Sequence, residues 1–258
     1  MKRLDGKVAL ISGTARGQGR AAALRFTAEG ALVVGGDLMH EEALRTQRLV
    51  AREGGTILTP GPLDVTDEDS VRSWTEDAVD AFGGVDVVCA NAGAVRLGAI
   101  GSQSSVDLGF LVRAELDSVW LTVPAAWPHL VRSRGCVLTI GSTAGLNASL
   151  TNPRTAHPAA NGALIAVTRQ LAAEGAPHGV RVNCVNPGRI DTDGSRATLL
   201  ADDQMRGVVR HALPGRLGAP VDVMDAAVFL TSDEAAHITG AHHVVDGGWS
   251  AVLPGATA

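Results

Sequence analysis

Two hydrophobic patterns alternate along the chain. Short, nearly continuous apolar runs occur at 8–12, 30–37, 56–59, 85–90, 136–140, 180–185 and 241–245. Runs of this length, rich in Val, Ile and Leu and without alternation, predict strands buried on both faces of a parallel sheet. Between them lie stretches with helical periodicity at 21–28, 40–51, 66–82, about 105–131, 156–173 and 221–231, and a further helix at 195–211 is expected to act as a flap. Thr66 opens the third of these, which turns Val71, Trp74, Ala78 and Phe82 to one side, and Trp120 and Trp127 fit the packing of the long helix after it. Strand and helix alternate throughout, so the fold class predicted is α/β, a doubly wound parallel sheet with helices on both faces, in one domain spanning 1–258.

The chemistry gathers where the strands end. After the first run comes Ser12-Gly13-Thr14-Ala15-Arg16-Gly17-Gln18-Gly19, a glycine-rich turn leading into a helix. Such a turn lets the backbone approach a pyrophosphate, whose charge meets the N–H groups and positive dipole end of the helix. Gly13, Arg16, Gly17, Gln18 and Gly19 are therefore candidate cofactor residues. Asp37 closes the second run, where an acid accepts hydrogen bonds from ribose hydroxyls and repels a 2′-phosphate; it favours NAD over NADP, with Arg16 as the dissenting cation. Asp37 also fits a helix cap before His40. Asp64 and Val65 would border an adenine, and the small turn Asn91-Ala92-Gly93 suits close approach of a ribose. Pro187, Gly188, Ile190 and Thr192 follow the sixth run.

Composition narrows the classes. With 45% apolar residues and no run long enough to cross a bilayer, the chain reads as soluble. Met1 to Lys7 has no apolar core, so it does not read as a secretory signal. A formal charge of −5 argues against nucleic acid as a partner. Cys89, Cys136 and Cys184 lack metal-ligand spacing and sit in apolar runs, as reduced core residues of a cytoplasmic protein would. No metal site is expected. The chain contains no tyrosine.

Taken in order, the glycine loop, Asp37, Asp64, Asn91-Ala92-Gly93, Ser142, Asn186-Pro187-Gly188, Thr192 and Val245-Asp246-Gly247-Gly248 resemble the short-chain dehydrogenase/reductase family. The likeness runs from Leu4 to Trp249, and the stretch Gly13 to Arg20 is similar to its NAD-using, carveol-dehydrogenase-like branch. The resemblance implies a Rossmann fold with seven strands in the order 3-2-1-4-5-6-7, NAD as cofactor, a small organic carbonyl or alcohol as substrate, and a homotetramer or homodimer. Family members use an Asn, Ser, Tyr and Lys set, with Tyr and Lys spaced as Tyr-x3-Lys. Here Ser142 is kept, His157 stands at the tyrosine position, Asn161 at the lysine position and Glu115 at the asparagine position. The loop from Asn147 to Thr155 is longer than the family's commonest spacing.

The double replacement is chemically coherent. A phenol of pKa about 10 needs a neighbouring cation to work near neutrality, whereas imidazole at about 6.5 does not. His157 is thus the candidate proton donor or acceptor, with Ser142 polarising the carbonyl oxygen and Asn161, one helical turn on, bonding a ribose hydroxyl. If Thr155 caps this helix, the dipole and Arg154 keep the imidazole neutral, while Glu115 opposes them if it reaches. Arg96, Asn147, Arg154 and Trp249 are candidates for the pocket border or for plain surface, and His242 and His243 for interface or core. Three readings follow: an oxidoreductase with His157 as acid or base, an NAD-binding pseudoenzyme or partner subunit, and a non-redox dehydratase, lyase or isomerase using His157 with Glu115.

Overall fold

The computed structural model describes residues 2–149, 153–199 and 215–251. Strands β1 (Val8–Ser12), β2 (Leu32–Gly36), β3 (Thr56–Leu58), β4 (Val87–Ala90), β5 (Cys136–Ile140), β6 (Arg181–Pro187) and β7 (His242–Val245) form one sheet in the order β3-β2-β1-β4-β5-β6-β7. All pairs are parallel, with Leu10 opposite Val34 on one side and Val88 on the other. The helices are α1 (Gly17–Ala28), α2 (His40–Arg52), α3 (Glu68–Phe82), α4 (Ser105–Val112), α5 (Ser118–Ser133), α6 (Ala156–Gly175), α7 (Asp193–Leu199) and α8 (Pro220–Thr231). This is the doubly wound sheet expected from the sequence. Its order reverses between β1 and β4, which opens a crevice at the carboxyl ends of the strands.

The uniform apolar runs resolve into two cores because successive side chains leave opposite faces of a strand. On one face Ala9, Ile11, Val87, Cys89 and Leu138 pack with Phe26 of α1 and Met224 and Val228 of α8. On the other, Leu10, Val34, Val88 and Val137 pack with Trp74 of α3, Val123 and Leu130 of α5 and Leu164 of α6. The three cysteines are free and buried, and burial pushes the thiols of Cys89 and Cys136 up to about 12 and 11. None of the described helices is long and apolar enough to cross a membrane.

Several sequence expectations need correction. The helical stretch expected at 105–131 is α4 and α5 joined by a π-helical turn, Arg113–Asp117. Trp127 packs against the core, but Trp120 is 65% exposed, on the outer side of α5, whose Val119, Thr122, Val123 and Ala126 are the buried residues. Asp67, rather than Thr66, caps α3, accepting from Ser70 N at 2.8 Å, while Thr66 bonds back to Asp64. The flap helix starts at Asp193, and its expected continuation over 200–211 lies outside the described residues.

Candidate active site

At the end of β1 the chain turns through the glycine loop into α1. The approach is so close that a Cβ on Gly19 would lie 1.9 Å from Gly13 O and 2.7 Å from Asn91 Nδ2. α1 has no capping side chain and no acid in its first turn, so its leading N–H groups face the cleft with nothing bound to them from the helix's own sequence. α3 and α4, by contrast, are capped by Asp67 and Ser104. Asp37, just past β2, is held by Ala15 N (3.0 Å to Oδ2) and Met39 N (2.9 Å to Oδ1). The acid therefore braces the glycine loop; the residue at the α2 cap position is Met39, with no side-chain bond. Asn91 serves a similar purpose, donating from Nδ2 to Ser12 O (3.0 Å) while Ser12 Oγ accepts from the backbone of Asn91 and Ala92. Asp64 Oδ1 is engaged by Thr66 (2.9 Å to N, 2.7 Å to Oγ1). Arg16 is exposed beside these groups and makes no side-chain bond among the described residues.

The other half of the cleft is built around α6 and the π turn. The turn carries Glu115, 6% exposed, over the end of β4, where Ala94 N donates to Oε1 at 3.3 Å. A Cβ on Gly93 would stand 3.1 Å from both carboxylate oxygens, so the small residue is what admits the carboxyl group. Burial pushes its pKa up to about 7, against the opposing pull of the Ala94 bond. Ser142 follows β5; its Oγ accepts from Ala144 N at 3.1 Å, which leaves the hydroxyl proton free to point elsewhere.

Thr155 precedes α6 but caps nothing. The first N–H groups are met instead by Gln103 Oε1, 2.8 Å from Ala156 N, and by Arg154 O, 3.0 Å from His157 N. His157 is 7% exposed, and its pKa is lowered to about 4, first by burial and then by the Arg154 cation. Glu115 does reach, with Oε1 4.0 Å from His157 Nδ1, but it does not win: burial drives both groups towards their neutral forms, so the pair is not ionic. Asn161 Nδ2 donates to His157 O (3.1 Å) and faces His157 Nδ1 (3.2 Å). Because the carbonyl can only accept, the amide nitrogen must be the atom on this side. Nδ1 is then an acceptor, and the neutral ring carries its proton on Nε2, which has no partner among the described residues. Asn161 Oδ1 is left buried without a partner.

One cleft of about 1170 Å³ joins the two halves. Every cofactor and catalytic candidate read from the sequence lines it, as does Arg154; Arg96, Asn147 and Trp249 do not. Arg96 lies over the Phe110 ring (4.5 Å), and Trp249 lies 5.9 Å from the Arg189 guanidinium. The sequence reading missed Leu38, Met39, Val95, Leu97, Phe110 and Arg113 on the wall. Phe110, Arg113 and Ala114 recur at helical spacing and were legible as a face, whereas Val95 and Leu97 sit on irregular chain that carries no such signal. Among the described residues no cluster of acids, histidines and cysteines could hold a metal.

Residues 13–250 match the family described as enoyl-(acyl carrier protein) reductase. The chain is 36% identical over 249 residues to the 2,5-dichloro-2,5-cyclohexadiene-1,4-diol dehydrogenase LinX of Sphingobium indicum, covering 96% of this chain and 98% of that protein. It is 35% identical over 245 residues to the 3-oxoacyl-(acyl-carrier-protein) reductase FabG of Escherichia coli, covering 95% and 97%. A crystal structure of a short-chain type dehydrogenase/reductase from Mycobacterium marinum superposes with a TM-score of 0.89 at 29% identity, covering 96% and 97% of the two chains. A reversed sheet order, an uncapped helix behind a glycine loop and relatives matched over nearly their whole length agree: the chain belongs to the short-chain dehydrogenase/reductase family.

Proposed function

We propose that the protein is an NAD(H)-dependent oxidoreductase acting on a carbonyl or alcohol of a small organic molecule, with His157 as the proton donor or acceptor in place of the missing tyrosine. The observation that carries this reading is His157, buried in the same cleft as Ser142 and with Asn161 Nδ2 against its Nδ1, an arrangement that favours the neutral ring with its proton on Nε2. The relatives support the reaction class, since one is named as a diol dehydrogenase and another as a 3-oxoacyl reductase.

The residues present fit a dinucleotide. Gly13, Gly17, Gln18 and Gly19 with the free end of α1 would hold the pyrophosphate, and Asp37 a ribose. The carboxylate of Asp37 at that point favours NAD over NADP. Asp64, Val65, Asn91, Ala92 and Gly93 would border the adenosine side, and Pro187, Gly188, Ile190 and Thr192 the nicotinamide side. Asn161 offers its unpartnered Oδ1 as a hydrogen-bond acceptor for a ribose hydroxyl. Once bound, the cofactor supplies the hydride chemistry, which no side chain of this site provides.

The protein's own groups manage the substrate oxygen. Ser142 O–H and His157 Nε2–H donate to it, stabilising charge as it develops. Full transfer from Nε2 would leave an imidazolate unless Nδ1 gains a proton. Glu115, with its pKa pushed up to about 7 and its Oε1 4.0 Å away, is the group that can return one once that gap closes and Asn161 Nδ2 gives up its bond to Nδ1. The proton path is therefore Glu115 to Nδ1, and Nε2 to the substrate oxygen.

We place the protein in the cytoplasm as a homodimer or homotetramer; Val106, Leu108 and Trp120 expose apolar surface on α4 and α5 that association would cover. The test is a panel of ketones and alcohols with purified protein and NADH or NAD, followed by cofactor absorbance. Turnover that drops sharply in His157→Ala supports the reading. Saturable NAD binding with no turnover would make the protein a pseudoenzyme, and product without any change in absorbance would make it a lyase or isomerase.

A further inference from the structure

We infer that the substrate of this cleft carries a carboxylate, received by Arg154 with Arg113 beside the entrance, and an apolar body lying against Val95, Leu97 and Phe110. The inference rests on the oxidoreductase reading for which molecule is turned over, but not for where an anion binds.

Arg154 is fixed at the backbone. Gly98 N donates to Pro153 O (2.9 Å), Thr155 N donates to Gly98 O (3.2 Å), and Gly98 and Arg154 form an isolated parallel bridge. Its side chain has no such support. The guanidinium makes no ion pair among the described residues, its Nε is buried without an acceptor, and burial lowers its pKa. A half-desolvated cation with an orphaned donor is unfavourable unless something in the working state supplies acceptors. Glu115 is not that partner: it forms no ion pair with Arg154 and is itself driven towards the neutral form.

Arg113 lines the same cleft, on the π turn that carries Glu115, and has no acidic partner among the described residues. The carboxylates Asp37 and Asp64 lie at the glycine-loop end, and Asp191 is held by Arg196 at 2.7 Å. Among the described residues this end therefore carries uncompensated positive charge beside exposed apolar wall, Val95 at 62%, Leu97 at 45% and Phe110 at 42%. A guanidinium presents a planar fork that matches a carboxylate in two parallel bonds, and it stays charged across the accessible pH range. An oxo or hydroxy acid with a hydrophobic body satisfies all three features.

The experiment compares matched ligands by calorimetry: 3-phenylpropanoate and its neutral analogue 3-phenylpropanamide, titrated into the full chain with and without NAD, at pH 7 and pH 9. Expected is at least tenfold tighter binding of the acid at both pH values. The preference should vanish in Arg154→Gln and shrink several-fold in Arg113→Gln, a change at an exposed residue, while NAD affinity stays the same in both. Equal binding of acid and amide, no saturation by the acid, or a preference that survives both substitutions would overturn the inference. Failure of the chain to bind NAD would instead count against the oxidoreductase reading, and the titrations without NAD separate the two.

Discussion

The two ends of the cleft stand on the same strand ends and differ in how their polar groups are satisfied. At the glycine-loop end the acids, Asn91 and Arg20 have local partners, Asp37 with Ala15 and Met39, Asn91 with Ser12, Asp64 with Thr66, Arg20 with Thr46 Oγ1 and Ala15 O, while Arg16 and Gln18 Oε1 have none among the described residues. What that end chiefly presents to the cleft is backbone, at the start of α1. At the catalytic end, Glu115 has one 3.3 Å bond, Arg154 Nε and Asn161 Oδ1 have none, and the pKa values of Glu115 and His157 lie well away from their ordinary ones. A scaffold that presents main chain can be fully satisfied before its ligand arrives. Groups proposed to exchange protons or to meet a charged ligand cannot, and at that end unmet bonds and shifted pKa values occur together.

The largest test of this contrast is Gly19→Ala. Its Cβ would overlap Gly13 O, and backbone cannot swing aside, so the loop must move. We expect a stability loss of about 3 kcal/mol, measured by denaturant unfolding, and NAD affinity reduced by more than about 100-fold, measured by fluorescence titration. At the opposite end, His157→Ala should leave NAD affinity unchanged and lower kcat by about 10²- to 10⁴-fold. Equal losses of NAD binding in the two variants would dissolve the distinction between the ends.

The next effect lies in stability against pH. Glu115 is raised from 4.5 to about 7, so between those values the folded chain holds a proton that the unfolded chain has lost, and stability falls as pH rises. His157 is lowered from 6.5 to about 4, so between about 4 and 6.5 the unfolded chain holds the extra proton, and stability rises with pH. In the wild type the two slopes offset each other over most of that window. Glu115→Gln should uncover the histidine slope, a gain of about 3 kcal/mol from pH 4 to 6.5. His157→Ala should uncover the carboxyl slope, a loss of similar size from pH 4.5 to 7. Denaturant melts across pH read both. The smallest effect is expected at Arg16, an exposed cation: Arg16→Ala should weaken NADP binding about two- to threefold and leave NAD binding alone, by competition titration.

The glycine loop was legible because its function lies in the backbone that Gly13, Gly17 and Gly19 permit, and three glycines in a strand-to-helix turn announce that directly. The sheet was legible for a similar reason, since doubly buried strands such as β1 and β5 read as continuous apolar runs. Trp120 was misread because helical spacing says which residues share a side of α5, not which of them the core covers. Thr155 was misread as a cap because its competitor, Gln103, comes from a distant segment.

By itself, then, the sequence determined the alternation of strand and helix, the glycine loop with Asp37 behind it, and the absence of any tyrosine. Local period and residue identity are properties of the chain. Only the tertiary structure decided which proton His157 keeps, that Glu115 faces it without forming an ion pair, and that Arg154 stands half-buried with no acidic partner among the described residues. Those outcomes depend on desolvation, and desolvation is set by whatever packs against a group from elsewhere in the fold.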